Sequence, residues 1–532
     1  MSSGEHILGH AVRCITRRPP ESSEPFFVDC PLTRVRIRTE FWTALSSPSQ
    51  SVGKSAKRPF TSGVGQREET MPDRRTPLLL IACFLLSLFA YASRAAAQLQ
   101  ARDPGVRSAA SNAGQPLPGL TPSQLAAFQA GQDEFQQAEA LADGLGPRFN
   151  LDSCGGCHAQ PALGGTSPAA NPQVAVGTAY GARNSIPFFV TPDGPIREAR
   201  FKYKPNGTRD GGVHDLFVIS QRADGTGDAH GCAIRQDDFV YQARQGNVSL
   251  RIPTPTFGAG LIEQIPDDVI VANSMANADR KAALAIAGRP HRIRIDTATT
   301  NFNGNDGTIT RFGWKAQNKS LLLFAAEAYN VEMGISNELF QTERDETPTC
   351  QFMSTPNDTT HTDGTSLGDI LSDIEKFAFF MRLLAPPAPS MDRPGGATSI
   401  ANGRDLFLST GCADCHTPAL QTGNTTVAAL SNQSVNLYSD LLLHAMGPGL
   451  ADDIVQGDAG PDEFRTAPLW GLGQRIFFLH DGRTTDLRTA IEAHRSGPDS
   501  HFKASEASRV VDSFDNLSEP QKQDLLNFLR AL

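Results

Sequence analysis

Two CxxCH segments constrain this chain more than any other feature: Cys154, Cys157 and His158 in SCGGCHAQP, and Cys412, Cys415 and His416 in GCADCHTPA. Two thiols three positions apart, with an imidazole beside the second, are the attachment signature of haem c. Each thiol adds to a vinyl group on one porphyrin edge, and the histidine then lies beneath the ring as an axial iron ligand. A structural zinc site pairs its half-sites at short spacing, whereas these two segments are separated by more than a domain length of chain. A lone CxxCH also suits a redox dithiol, but two copies favour two covalently bound haem c groups with iron on His158 and His416.

Haem c implies an oxidising compartment, and the N-terminal region agrees. From Met71 the sequence runs MPDRRTPLLLIACFLLSLFAYASRAAAQ, with Arg74 and Arg75, an apolar run from Leu78 to Tyr91, and Ala95 and Ala97 before Gln98. This is the order of a signal peptide, residues 71–97, and implies export to the periplasm. Residues 1–70 read as an upstream extension of the gene model, the alternative being a tail ahead of a membrane anchor. The apolar run falls short of the roughly 20 residues of a comfortable span, so no stable transmembrane segment is expected after processing.

Beyond Ala97 the chain holds 35 basic and 49 acidic residues, a net charge of about −14. That sign excludes nucleic acid as a partner. Of the cysteines outside the two motifs, Cys14, Cys30 and Cys83 precede Gln98. Cys232 and Cys350 remain, either as a disulfide in the oxidising compartment or as buried thiols.

Residues 98–120 are rich in Gly, Pro, Ala and Gln and read as a flexible lead. Thr121-Pro122 then opens a helix whose Leu125, Phe128 and Phe135 recur at helical spacing ahead of the first motif. Leu406 and Phe407 introduce the second motif in the same manner. Between them lie short extended segments, a helix from Leu321, and a helix from Leu371 stopped by Pro386 and Pro387. A closing helix begins near Ser518. The expected fold is mainly α with extensive loops and short strands. Its two cytochrome c-like haem domains cover 121–390, which carries a large insertion, and 395–532.

Five segments in order carry a family resemblance: NLDSCGGCHAQPALGG, FGAGLIEQIPDD, RFGWKAQNKSLLLFAAEAYNVEMGI, YSDLLLHAMGPGLADD and EFRTAPLWGLGQRIFFLHDGRTTDLRTAI. Over residues 121–532 the chain resembles the di-haem oxidoreductases. These are relatives of the bacterial di-haem cytochrome c peroxidases and of the enzyme that matures the tryptophan tryptophylquinone cofactor. The resemblance implies one haem that relays electrons and one that meets hydrogen peroxide, with a small redox protein, a cytochrome c or a cupredoxin, as donor. The family commonly has an aromatic residue or methionine two residues before HDG. Here that residue is Phe478, which cannot ligate iron.

For the sixth position at the second iron, Met446 is the first candidate, followed by His444 and His480. At the first haem, Glu263 in FGAGLIEQIP is the preferred acid/base residue, because a partly desolvated carboxylate shuttles a proton during O–O cleavage. Gly258 and Gly260 would permit close approach to a cofactor. A salt-bridged structural role is the competing reading of Glu263, with His214 and His230 as rival distal groups and Gln264 as an assistant. Trp314 and Trp470 are candidates to couple the two centres. Arg311, Arg465, Arg475 and Arg483 are candidates to pair with haem propionates. A closed electron-transfer cytochrome, or an oxidase of thiols or protein side chains, are the competing functions.

Overall fold

The computed structural model describes residues 100–107, 111–180, 186–218, 234–292, 308–342, 350 and 356–532. The expected signal peptide and upstream extension, with Cys232 and His230, lie outside them. Cys350 is fully buried and disulfide-bonded, while the four CxxCH cysteines are free.

Helix α1 (Pro122–Gln136) starts where capping chemistry dictates. Thr121 accepts from Gln124 N, the Gln124 side chain reaches back to Thr121 N, and Pro122 occupies the first turn. Its buried face, Phe128, Gly131 and Phe135, later meets a second helix; a Cβ on Gly131 would stand 2.2 Å from Lys376 O.

Three short strands follow, β1 (Glu198–Phe201), β2 (Val213–His214) and β3 (Val248–Arg251), in antiparallel order β2-β1-β3. Alternation along β1 buries Ala199 and Phe201 on one face and turns Glu198 and Arg200 to the other. Glu198 pairs opposite Arg251, so both belong to that second face.

Helix α2 (Ala259–Glu263) is one turn long. Helix α3 (Leu321–Met333) is capped by Ser320 and ended by Gly334 at φ 78°. Helix α4 (Asp373–Leu383) has a capping box between Ser372 and Glu375 and stops before Pro386. Phe380 of α4 meets Phe128 and Phe135 of α1 at 5.3 and 4.8 Å between ring centroids.

In the C-terminal part, α5 (Ala397–Thr410) leads into the second motif through Gly411 at φ 106°. A two-stranded pair, β4 (Leu443–Ala445) and β5 (Glu463–Arg465), sets His444 opposite Phe464. Helix α6 (Leu487–Glu492) follows, and α7 (Glu519–Ala531) closes the chain with a capping box between Ser518 and Gln521. Gly403 brings α5 against α7, since a Cβ there would lie 2.0 Å from Asp524 O. The helices from Leu321, Asp373 and Glu519 lie where the sequence pattern put them. By contrast, Phe239–Arg244, within the stretch expected to hold short extended segments, is helical, and helices are a minority of the described residues, so the fold is less α than expected.

The lead expected to be flexible is instead fastened to the C-terminus. Asp103 receives both Nε and Nη2 of Arg530 at 2.6 Å, and it also accepts from Leu487 N at 2.7 Å. The segment has few apolar residues, so composition suggested mobility, but these paired charges and backbone bonds order it. The parts on either side of residue 395 belong to one compact unit. Arg465 N donates to Trp314 O, and Arg251 meets Asp452 through a buried ion pair at 2.6 Å. No described helix is long and apolar enough to cross a membrane.

Candidate haem sites and reaction cavity

The first motif forms a single turn, Cys154–Cys157, whose N-cap Ser153 accepts from Gly156 N. His158 follows with its Nδ1 2.9 Å from Gly165 O. That contact requires Nδ1 to carry the proton, leaving the Nε2 lone pair free to ligate a metal. Burial also lowers the pKa of His158, which favours the neutral form that binds iron.

The second motif repeats the device. His416 Nδ1 lies 3.0 Å from Tyr438 O, and burial pushes the imidazole down to about 4. The Cys412 thiol is pushed up to about 11, again by burial first.

Each histidine faces its own cavity. The first is a cleft walled by Cys157, His158, Glu198, Arg200, Trp314 and Glu332. Phe324, Glu327, Ala328 and Val331 add a stripe from α3 at the three- and four-residue spacing of one helix face. Gln317 Oε1 is buried in this wall and has no hydrogen-bond partner among the described residues. The second is the larger of the two and mainly apolar, with Cys412, Cys415, His416, Met446, His480 and His494 on its wall.

Both cavities fit haem. The strongest sign is the state of Arg465 and Arg475, which border the second cavity and the closed space beside it. Burial pushes both guanidinium groups down to about 10, and only other arginines act on them electrostatically. Buried cations in that condition call for an anion such as a propionate. Arg311 and Arg483 do not share this state: Arg311 is ion-paired with Asp267, and Arg483 with Asp481 at 2.8 Å.

Of the ligand candidates at the second site, His444 is the one the geometry removes. Its Nδ1 is 2.8 Å from Glu506 Oε2 and its Nε2 3.0 Å from Asp440 Oδ2. Although burial opposes it, Cys415 first and then Asp440 raise the imidazole well above its ordinary range, and with a carboxylate on each nitrogen both carry protons. Met446 and His480 are on the cavity wall; His480 stacks on Phe464 at 4.4 Å and is pushed down to about 4 by burial.

His494 was missed in the sequence. Its Nδ1 lies 2.7 Å from Ala490 O, one helical turn back at the end of α6, and burial lowers its pKa. This is the arrangement found at His158 and His416, with Nε2 left free. The signal was a histidine three residues beyond the quoted TTDLRTAI segment, at the end of the helix that HDGR introduces.

Glu263 does not stand on the wall of the first cavity. Its carboxylate receives Arg382 Nε at 2.5 Å and Leu321 N at 2.8 Å, joining α4 to the start of α3. Gly258 and Gly260 admit protein and not a cofactor: added Cβ atoms would lie 2.6 Å from the Trp470 ring and 1.9 Å from Arg382 O. His214 is held between Asp237 and Asp210 at 2.8 and 3.1 Å and stacks on Phe201, away from the cavity wall.

Three acids do stand there, Glu198, Glu327 and Glu332, and Glu332 is the most strongly perturbed. Burial first, then the negative charge of Glu198, raises its pKa well above the carboxylate range, while Asn150 Nδ2 donates to its Oε2 at 2.7 Å. Trp314 borders both large cavities, and its indole N–H is fixed on Ile252 O at 2.8 Å. Trp470 borders only the closed space between them, where it packs on Gly258.

Comparison with known proteins places this geometry in a family. The profile described as "Di-haem oxidoreductase, putative peroxidase" matches residues 210–532, a span that holds Trp314, Glu332 and the second motif. Among solved structures, a MauG-like protein associated with microbial copper homeostasis is 17% identical, with 53% of this chain and 89% of that chain covered at a TM-score of 0.24. Hydrazine synthase of Kuenenia stuttgartiensis is 18% identical over 31% of this chain at a TM-score of 0.19, and the match spans 56% of the hydrazine synthase chain. No curated protein sequence matches the chain. With more than half of its length matched by the profile, the chain belongs to the di-haem oxidoreductase family.

Proposed function

We propose that the chain binds two covalent haem c groups, through Cys154, Cys157 and His158 and through Cys412, Cys415 and His416. In this reading it is a periplasmic enzyme that reduces hydrogen peroxide in the first cavity, drawing electrons from a small cytochrome c or cupredoxin through the second.

The observation that carries this reading is the contrast between the two walls. The first carries the charged side chains Glu198, Arg200 and Glu332, the last held in its acid form, and presents no second imidazole or thioether opposite His158 among the described lining residues. The second is apolar and presents His480, His494 and Met446 besides His416. A relay centre wants a closed coordination sphere and a reaction centre an open one.

Haem, when bound, supplies an iron that takes peroxide as a ligand and exchanges electrons singly. The chain supplies the rest. Glu332 holds the proton that the departing oxygen needs, Asn150 orients its carboxyl, and the free Gln317 Oε1 accepts from a peroxide O–H. Trp314, which lines both cavities, links them. At the second centre His494 would hold the iron in preference to Met446, because its outer nitrogen is already bonded as those of His158 and His416 are.

The test is donor-dependent turnover. Reduced holoprotein mixed with hydrogen peroxide should oxidise a reduced cytochrome c in step with peroxide loss. Two haems that stay six-coordinate and inert to peroxide in every redox state would leave an electron carrier.

A further inference from the structure

Glu198 and Glu332 come from different elements and meet in one place. Glu332 lies in the last turn of α3, and Glu198 opens β1 with its side chain on the cavity face. Both belong to the wall that holds His158, and the two carboxyls are within hydrogen-bonding reach of each other. Arg200 donates to Glu198 Oε1 at 2.6 Å. Arg251, across the register from Glu198, is committed to Asp452 and Gln456. Asn150 donates to Glu332, Glu327 lies one turn earlier on α3, and the Cys157 thiol faces the pair from the first motif. Arg200 therefore neutralises one carboxylate, with Arg251 also acting on Glu198 from across the register, and the second carboxyl requires a proton.

We propose that Glu198 is a positioning residue that shares a single proton with Glu332 and keeps Glu332 in its acid form at neutral pH. The inference rests on the peroxidase reading above and adds a residue to it. Two buried like charges at contact distance do not both ionise. The directions agree: Glu332 is raised, and Glu198, although burial pushes it up, is held below its usual range by Arg200 and by the hydrogen bond with Glu332.

The chemistry balances as H2O2 + 2 e⁻ + 2 H⁺ → 2 H2O, with peroxide as oxidant and the small redox protein as reductant. As the O–O bond breaks, Glu332 gives its proton to the departing oxygen, which leaves as water. The proton of the retained oxygen returns to the carboxyl pair. Two electrons from the donor and two protons from solvent then complete the second water. Glu198 never touches the peroxide; it sets how tightly Glu332 holds the proton.

Infrared pH titration of the full holoprotein tests this without turnover. The wild type should show a protonated-carboxyl C=O band at neutral pH that Glu332→Gln removes. In Glu198→Gln the midpoint of that band should fall by about one unit or more, since a like charge is lost. Glu198→Asp should restore it, and Arg200→Gln should move it the opposite way. The bands of other buried acids, Glu139 and Asp358, should stay in place in all four variants.

A midpoint unmoved in Glu198→Gln and in Arg200→Gln would mean that burial alone raises Glu332, and would overturn the pair. An unmoved midpoint in an enzyme that turns over peroxide removes the pair and keeps the peroxidase. A moving midpoint in a protein inert to peroxide does the reverse.

Discussion

Trp314 meets His480 edge to face, 6.4 Å between ring centroids, where the walls of the two cavities come together. Since its N–H is fixed on Ile252 O, the indole is held as a rigid bridge. Trp314→Phe should leave both haem spectra in place and slow electron exchange between the centres by about tenfold, ~1.4 kcal/mol in barrier. Rapid-mixing reduction followed at each haem band measures this; an unchanged exchange rate removes Trp314 from the route.

Glu332 and Glu263 should separate cleanly as variants. Glu332→Gln is expected to slow O–O cleavage by roughly 10²-fold or more, because the transferable proton is gone. Glu263→Gln should retain turnover but lose about 1–3 kcal/mol of stability, as Arg382 and Leu321 N lose a charged acceptor. Peroxide turnover and urea unfolding of the two holoproteins give the comparison, and the reverse pattern would return the acid/base role to Glu263.

The sixth ligand is decided by three substitutions. His494→Ala should open the second haem to added cyanide or imidazole and change its potential. Met446→Leu and His480→Gln should leave the coordination as it was. Loss of the low-spin spectrum in Met446→Leu, with His494→Ala unchanged, would restore methionine as the ligand.

Glu139 offers a pH test outside the haem chemistry. Burial first, then Asp373 and Glu134, pushes its carboxyl from 4.5 up to about 8. A raised acid binds its proton more tightly in the folded state, so its contribution is full below about 4.5 and is lost as the pH rises through about 8. Glu139→Gln should therefore raise Tm at pH 8 far more than at pH 5, by the equivalent of about 3 kcal/mol. Equal shifts at both pH values would mean that Glu139 is charged in the folded chain.

What the sequence disclosed was local chemistry. The CxxCH motifs and the capping boxes at Thr121, Ser372 and Ser518 are contained within a few residues, and each forms where its pattern lies. Glu332 could not be identified that way. It stands in an ordinary helical stretch beside Tyr329 and Met333, and its environment is made by Glu198 and Asn150 from distant parts of the chain. Glu263 misled because its neighbouring glycines suggested a cofactor, whereas the close approaches they allow are to Trp470 and α4. His444 misled in the opposite sense, since a histidine near the second motif gives no hint of two carboxylates on its nitrogens.

The clasp between Asp103 and Arg530 joins positions 427 apart, and Arg530 also lies 4.9 Å above the ring of Phe478 on the second cavity wall. Through this one side chain the segment around Asp103 is tied to the wall that carries Phe478, so a change at position 103 is felt at the second cavity although the two are remote in sequence.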